Sequence, residues 1–296
     1  MQENTEVDGD TLSITKAPEA GQNIRPMGQD IEKGESVLET GTRLLPQHLG
    51  LLASVGIARV RVYRPLTVAI LSTGDELVAP GRSLQPGQIY NSNRDMLRGL
   101  ITAAGWRIHE CGDVADTLDA TRDALSEAAE RADIIVTTGG VSVGEEDHIR
   151  DAIQALGQLN LWRLAIKPGK PLAFGHIGQT PVLGLPGNPA AVLVTFLMLA
   201  RPFMRRCQGE AGAVLPSADR VALAFSVERP QTRREFQRVR CHEENGRRWL
   251  EAAANQSSGV LSSTCWADGL ALIPENESLD VGDEVAFYPF TQLMYG

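Results

Sequence analysis

The chain has 296 residues, 43% hydrophobic and 22% charged content, and a formal net charge of -9, enough apolar material for two or three cores and a balance that disfavours nucleic acid as the main partner. The longest apolar stretch, Ala190 to Ala200, is too short to cross a bilayer and runs into Arg201-Pro202, so no membrane partner is expected. The polar start Met1-Gln2-Glu3-Asn4-Thr5 lacks a signal-peptide pattern, which makes the cytoplasm the expected compartment.

Residues 1–45 hold short β-like pieces, Thr11-Leu12-Ser13-Ile14-Thr15 and Ser36-Val37-Leu38, broken by Pro18, Gly21, Gly28, Gly34 and Gly41. A segment this small buries no core alone and reads as part of a β domain. Leu45 to Ser54, with Pro46 near its start, predicts a short helix ended by Gly56, and the alternation Arg59-Val60-Arg61-Val62-Tyr63 predicts a strand. From Pro65 the pattern becomes regular βα alternation. Strands are predicted at about 67–72, 106–111 and 133–138, with helices at about 92–104, 117–131 and 147–156. Trp162 to Ile166 reads as a further strand, followed by a hairpin, Leu172 to Ile177 and Val182 to Leu185, and by a long helix to Cys207 with Asn188 as N-cap and Pro189 as its first residue. Beyond about 214 come short alternating strands separated by Gly, Asn and Pro turns: Arg220 to Val227, Glu235 to Cys241, Trp249 to Ala253, Gly269 to Ile273 and Glu284 to Tyr288. The expected architecture is therefore α/β: a doubly wound, mostly parallel sheet domain over 46–212, a small barrel-like β domain over 213–296, and a partial β segment over 1–45.

Chemistry concentrates at strand ends. Ile134-Ile135-Val136 has the composition of a strand buried on both faces, and it runs into Thr137-Thr138-Gly139-Gly140, then Ser142, Gly144, Glu145, Glu146 and Asp147. Val68 to Leu71 repeats the design and ends in Ser72-Thr73-Gly74-Asp75-Glu76-Leu77. Either glycine turn alone also occurs in proteins that bind nothing there, but two such tips on neighbouring parallel strands would converge on one crevice. Lys167-Pro168-Gly169-Lys170-Pro171 sets two ammonium groups around a stiff turn near the helix start at Leu185-Pro186-Gly187-Asn188-Pro189, a combination suited to phosphate or another tetrahedral oxyanion. Glu76, Asp116 and Asp147 follow strand ends or open helices, where acids also serve simply as caps; together they suit Mg²⁺ held against substrate phosphates. The four cysteines, Cys111, Cys207, Cys241 and Cys265, form no Cys-x-x-Cys pair, and Ser142 has no evident partner base, which argues against structural zinc, a disulfide framework and serine nucleophile chemistry.

Ser72 to Leu77, Thr138 to Glu145, Lys167 to Pro171 and Leu185 to Pro189, in this order and spacing, resemble the molybdopterin molybdenumtransferase family. Gly21 to Arg25, Gly28 to Ile31 and Gly41 to Leu44 resemble that family's second domain, and Val281 to Val285 with Pro289-Phe290 resemble the end of its C-terminal β domain. The resemblance implies insertion of molybdenum from molybdate into adenylylated molybdopterin, with release of AMP in the presence of Mg²⁺, by a homodimer acting on small molecules. It implies that Glu76, Asp116 and Asp147 serve catalysis and the metal. It also implies that Thr73, Gly74, Gly139, Gly140, Ser142, Gly144, Lys167, Lys170, Pro171, Pro186, Asn188, Arg238 and Ser258 bind the substrates. The family's first domain has no counterpart here, and it completes the neighbouring subunit's pocket, so a weakly active or inactive molybdopterin-binding fragment is one alternative expectation. Molybdopterin adenylyltransferase, which shares the α/β domain, is another; the β module beyond residue 214 separates it from the leading reading.

Overall fold

The computed structural model describes residues 2–139 and 148–296 and divides into two compact units, Met1–Val60 and Arg61–Gly296. In the first unit a 3₁₀ turn, Gln2–Asn4, leads into the antiparallel hairpin of β1 (Thr5–Asp8) and β2 (Thr11–Ile14), and helix α1 (Pro46–Ser54) follows later. The strand expected at Ser36-Val37-Leu38 does not form, because Gly34 and Gly41 turn the chain at positive φ on either side of it. The stretch 59–63 is not a strand either. Alternation specifies a strand only where one face is buried against a partner, and Val60 and Val62 are both exposed.

The second unit contains the α/β sheet and the barrel. Its elements are β3 (Thr67–Ser72), β4 (Leu77–Val78), β5 (Ile89–Tyr90), α2 (Ser92–Ala103), β6 (Arg107–Glu110), α3 (Leu118–Arg131), β7 (Ile134–Thr138), α4 (His148–Leu156), β8 (Gln158–Arg163), β9 (Ile166–Lys167), β10 (Pro171–Ile177) and β11 (Thr180–Leu185). Next comes one long helical segment, α5 (Pro189–Thr195), a π turn (Phe196–Ala200) and α6 (Arg201–Cys207). The strands run in the order β6-β3-β7-β11-β10-β8; the first four are parallel, β10 is antiparallel to β11, and β8 is antiparallel to β10 and so runs in the direction of the first four. The strand expected at 162–166 starts earlier, at Gln158, because the chain needs those residues to pair with β10.

Alternation within each central strand feeds two cores. Val68, Ile70, Ile134 and Val136 pack with Leu97 and Ile101 of α2 and with α5 on one face. Ala69, Leu71 and Ile135 pack with Leu125 of α3 and Ile149 and Ile153 of α4 on the other. Each of the Val, Leu and Ile side chains taken fully from water contributes about 1.5–3 kcal/mol. That double burial explains the unbroken apolar runs of β3 and β7.

The remaining elements, β12 (Asp219–Leu223), β13 (Arg234–Glu244), β14 (Arg247–Ala252), α7 (Ser262–Trp266), β15 (Gly269–Ile273), β16 (Glu284–Pro289) and α8 (Phe290–Tyr295), follow the α/β sheet. The strand order β14-β12-β16-β15-β13, closed by the β14–β13 pairing, makes a five-stranded barrel around Val221, Leu223, Val239, Leu250 and Phe287. Closure removes the free edges that a small sheet would otherwise expose. One strand arrives from outside: β9 runs parallel to β13, setting Ile166 opposite Arg234 and Lys167 opposite Glu235.

The entry to β7 is pinned by Asp133, whose carboxylate accepts from the Thr67 backbone N–H at 2.8 Å and from Arg64 at 2.6 Å. The Arg64 guanidinium holds this carboxyl below the usual range. A depressed folded value means stabilisation that is present above the unfolded value, about 3.9, and lost as pH falls through the folded one. Asp133→Asn is therefore expected to lower the urea midpoint at pH 7 and to cost less once pH falls below the unfolded value. An equal loss on both sides of that value would rule this coupling out.

Candidate functional site

The strand order places a topological switch between β3 and β7, whose helices leave on opposite faces, and open α/β sheets bind ligands at the carboxyl ends flanking such a switch. The two ends touch here: Ser72 Oγ and Thr138 Oγ1 are 3.1 Å apart. After Ser72 the chain turns tightly, Leu77 N–H donating to Gly74 at 2.9 Å, and β4 is held to β5 through the bond from Ile89 N–H to Glu76 O at 2.7 Å. Gly74 sits at φ 143°, and a Cβ there would lie 2.6 Å from Glu76 Oε2. Its absence lets the Glu76 carboxylate fold back over the turn.

These loops border a cavity of about 1010 Å³. Thr73, Glu76, Leu77, Ile89 and Tyr90 come from the β3–β5 segment, Asn91 and Asn93 from the start of α2, and Thr138 and Gly139 from β7. The stretches 167–171 and 186–189, with Arg233 and Gln256 to Gly259 from the barrel region, complete the lining.

The Lys-Pro-Gly-Lys-Pro loop is held at both ends. Leu164 N–H donates to Lys170 O at 2.8 Å. Gly169 sits at φ 114°, where a Cβ would fall 2.5 Å from Thr195 Cγ2, so the turn packs on the α5 helix only as glycine. Lys167 Nζ lies 3.0 Å from Oε1 of the buried Glu235, whereas Lys170 is exposed at the cavity edge.

At the start of α5, Asn188 occupies the N-cap position but does not cap the helix with its side chain. Its Nδ2 donates instead to Ser258 Oγ at 3.0 Å, while Ala190 N–H donates to Ser258 O, also at 3.0 Å. Asn93 Nδ2 donates to Gly187 O at 2.7 Å, fixing the preceding turn. Positive side chains (Lys167, Lys170, Arg233), a helix start and hydroxyls thus line the same space as one carboxylate among the described residues, Glu76. Such a set can hold a large anionic ligand by its phosphate or oxyanion groups.

Arg238 stands apart from this lining. It is 1% exposed and donates to Ser263 Oγ at 3.2 Å and to Ser257 O at 3.1 Å. Its backbone exchanges two hydrogen bonds with the Gln256 amide. Burial pulls its guanidinium below the usual value, opposed by nearby Glu235. Arg238 thereby supports the 255–258 loop from behind and does not border the cavity.

Of the three carboxylates, Glu76 lines the cavity, and Asp116, partly exposed before the Thr117 N-cap of α3, does not. Strand β6 is the edge strand beyond β3, so the loop that carries Asp116 leaves the sheet one strand away from the crevice. Asp147, with Gly140, Ser142 and Gly144, lies outside the described residues. Among the described residues no three His, Cys, Asp or Glu side chains come together as a metal set.

The structure adds Tyr90, Asn91, Asn93, Arg233 and Gln256 to the cavity. Asn91-Ser92-Asn93 signals only a helix start in the sequence, Asn91 being the N-cap of α2. Arg233 is one of several arginines in a polar turn, and nothing local sets it apart.

The chain matches the family descriptions "Probable molybdopterin binding domain" over residues 69–206, "MoeA C-terminal region (domain IV)" over 220–290 and "MoeA N-terminal region (domain I and II)" over 1–56. It is 38% identical over 300 residues to the molybdopterin molybdenumtransferase of Haemophilus influenzae, covering 99% of this chain and 74% of that protein. To molybdopterin molybdenumtransferase 2 of Mycobacterium tuberculosis it is 33% identical, covering 90% and 67%. The molybdopterin biosynthesis MoeA protein from Pyrococcus horikosii superposes with a TM-score of 0.75 at 34% identity, over 97% of this chain and 70% of that one. This chain belongs to the molybdopterin molybdenumtransferase family, enzymes of molybdenum cofactor biosynthesis.

Proposed function

We propose that the cavity at the carboxyl ends of β3, β7 and β11 takes adenylylated molybdopterin and molybdate and inserts molybdenum into the molybdopterin with release of AMP. The observation that carries this reading is the convergence of Glu76, Lys167 and Lys170 on one cavity of about 1010 Å³, the size of a small-molecule site and lined for anions. Lys167 and Lys170 hold the oxyanion and phosphate groups, with Ser258 and the start of α5 as donors. Thr73, Gly74 and Gly139 stand on the turns proposed to meet the ligand, Gly140, Ser142 and Gly144 are proposed to bind it as well, and Pro171 and Pro186 stiffen the bordering loops. Arg238 acts through the 255–258 loop.

The described residues offer one carboxylate to a metal, and Mg²⁺ is commonly held by one or two carboxylates together with substrate phosphates. Glu76 fits that role, with Asp147 as its proposed companion, while the loop of Asp116 leaves the sheet one strand away. When bound, Mg²⁺ neutralises charge on the departing phosphate. The enzyme is proposed to act in the cytoplasm as a homodimer.

The test is AMP release from adenylylated molybdopterin by the purified chain. Release is expected to depend on molybdate, to stop with EDTA and to return with Mg²⁺. Release indifferent to molybdate would overturn the transferase reading, and release indifferent to EDTA would remove the metal from it.

A further inference from the structure

The buried acid beside the cavity lysine is not explained by fold alone. Glu235 is 6% exposed, and a buried carboxylate is retained only when paired. Its ion-pair partner is Lys167, 3.0 Å away, whose side chain is 40% exposed and borders the cavity. The parallel β9–β13 pairing sets the two residues opposite one another, so the barrel reaches into the α/β cavity through this contact. Arg234 is engaged by Glu275 at 2.8 Å, and Arg238, which feels the Glu235 charge, gives its hydrogen bonds to Ser257 and Ser263.

We propose that Glu235 is a positioning residue that holds the Lys167 ammonium at the cavity wall and shares it with a bound tetrahedral oxyanion, setting how tightly that oxyanion is held and how fast it leaves. An oxyanion arriving at Lys167 meets an ammonium already half neutralised from behind. Its binding is correspondingly weaker and more readily reversed, which suits a site that must release its product. This inference rests on the oxyanion reading of the cavity, and molybdate and phosphate share the chemistry it needs.

The experiment is calorimetric titration of the full chain with sodium molybdate and, separately, with inorganic phosphate. Glu235→Gln keeps an acceptor for Lys167 and removes the charge; it is expected to bind whichever anion occupies the pocket about fivefold more tightly and to release it more slowly. Glu235→Asp, which draws the charge back by one methylene, gives a smaller gain in the same direction and serves where the Gln variant does not fold. In a Lys167→Ala background neither substitution changes affinity. A purely structural role would move the unfolding midpoint and leave anion affinity alone. Affinity unchanged in both variants, or an equal gain without Lys167, overturns the inference while the cavity reading stands. A parent chain that binds neither anion overturns the oxyanion pocket, and this inference with it.

Discussion

Lys170→Ala is expected to raise the molybdate concentration for half-maximal insertion roughly ten- to a hundredfold while leaving AMP binding nearly intact. A charge-assisted contact is worth about 1.5–3 kcal/mol, and each 1.4 kcal/mol is about tenfold. Lys170 is exposed at the cavity border, where water screens it, so the lower end of that range applies unless the ligand seals the site. Steady-state molybdate dependence with a fixed supply of adenylylated molybdopterin measures the effect. An unchanged dependence would take Lys170 out of the pocket.

Arg238→Ala is expected to cost the fold about 1–3 kcal/mol, the loss typical when buried hydrogen-bonding groups are left without their partner. Two acceptors, Ser263 Oγ on a buried residue and Ser257 O on an exposed one, would lose their donor. The 255–258 loop would lose its support, and with it the contacts from Ser258 to Asn188 and Ala190 at the start of α5. Anion affinity should therefore fall although Arg238 does not border the cavity. Arg238→Lys keeps the charge but not the forked donor geometry and should recover only part of both losses. Urea unfolding and molybdate titration read the two effects separately. A variant of parental stability with weakened anion binding would mean that Arg238 touches the ligand directly after all.

Much of the fold was legible because it is local. The apolar runs 68–71 and 134–136 announce strands buried on both faces, and the glycine turns after them announce strand ends, since no other residue takes those turns without strain. The C-terminal alternation announces a small β module, which the β14–β13 pairing closes into a barrel. The same reasoning misfired at 59–63, where an alternating pattern has no neighbour to pair with.

The candidate site divides along the same line. Local sequence determined that Glu76, Gly139, Lys167, Lys170 and Asn188 stand on turns beside strand ends or a helix start, because turn chemistry and capping preferences act within a few residues. Only the tertiary structure decided which of those turns meet. The order β6-β3-β7-β11 brings the ends of β3, β7 and β11 side by side and leaves the Asp116 loop on the edge strand. Side-chain direction was equally illegible: Asn188, a sound N-cap by residue type, spends its amide on Ser258, and Arg238 turns inward to support a loop. Glu235 shows the reason most plainly. It is 68 residues from Lys167 in the chain, and the two meet only because β9 leaves the α/β sheet to pair with a barrel strand. Local propensity carries no information about such a pairing, which joins residues far apart in the chain.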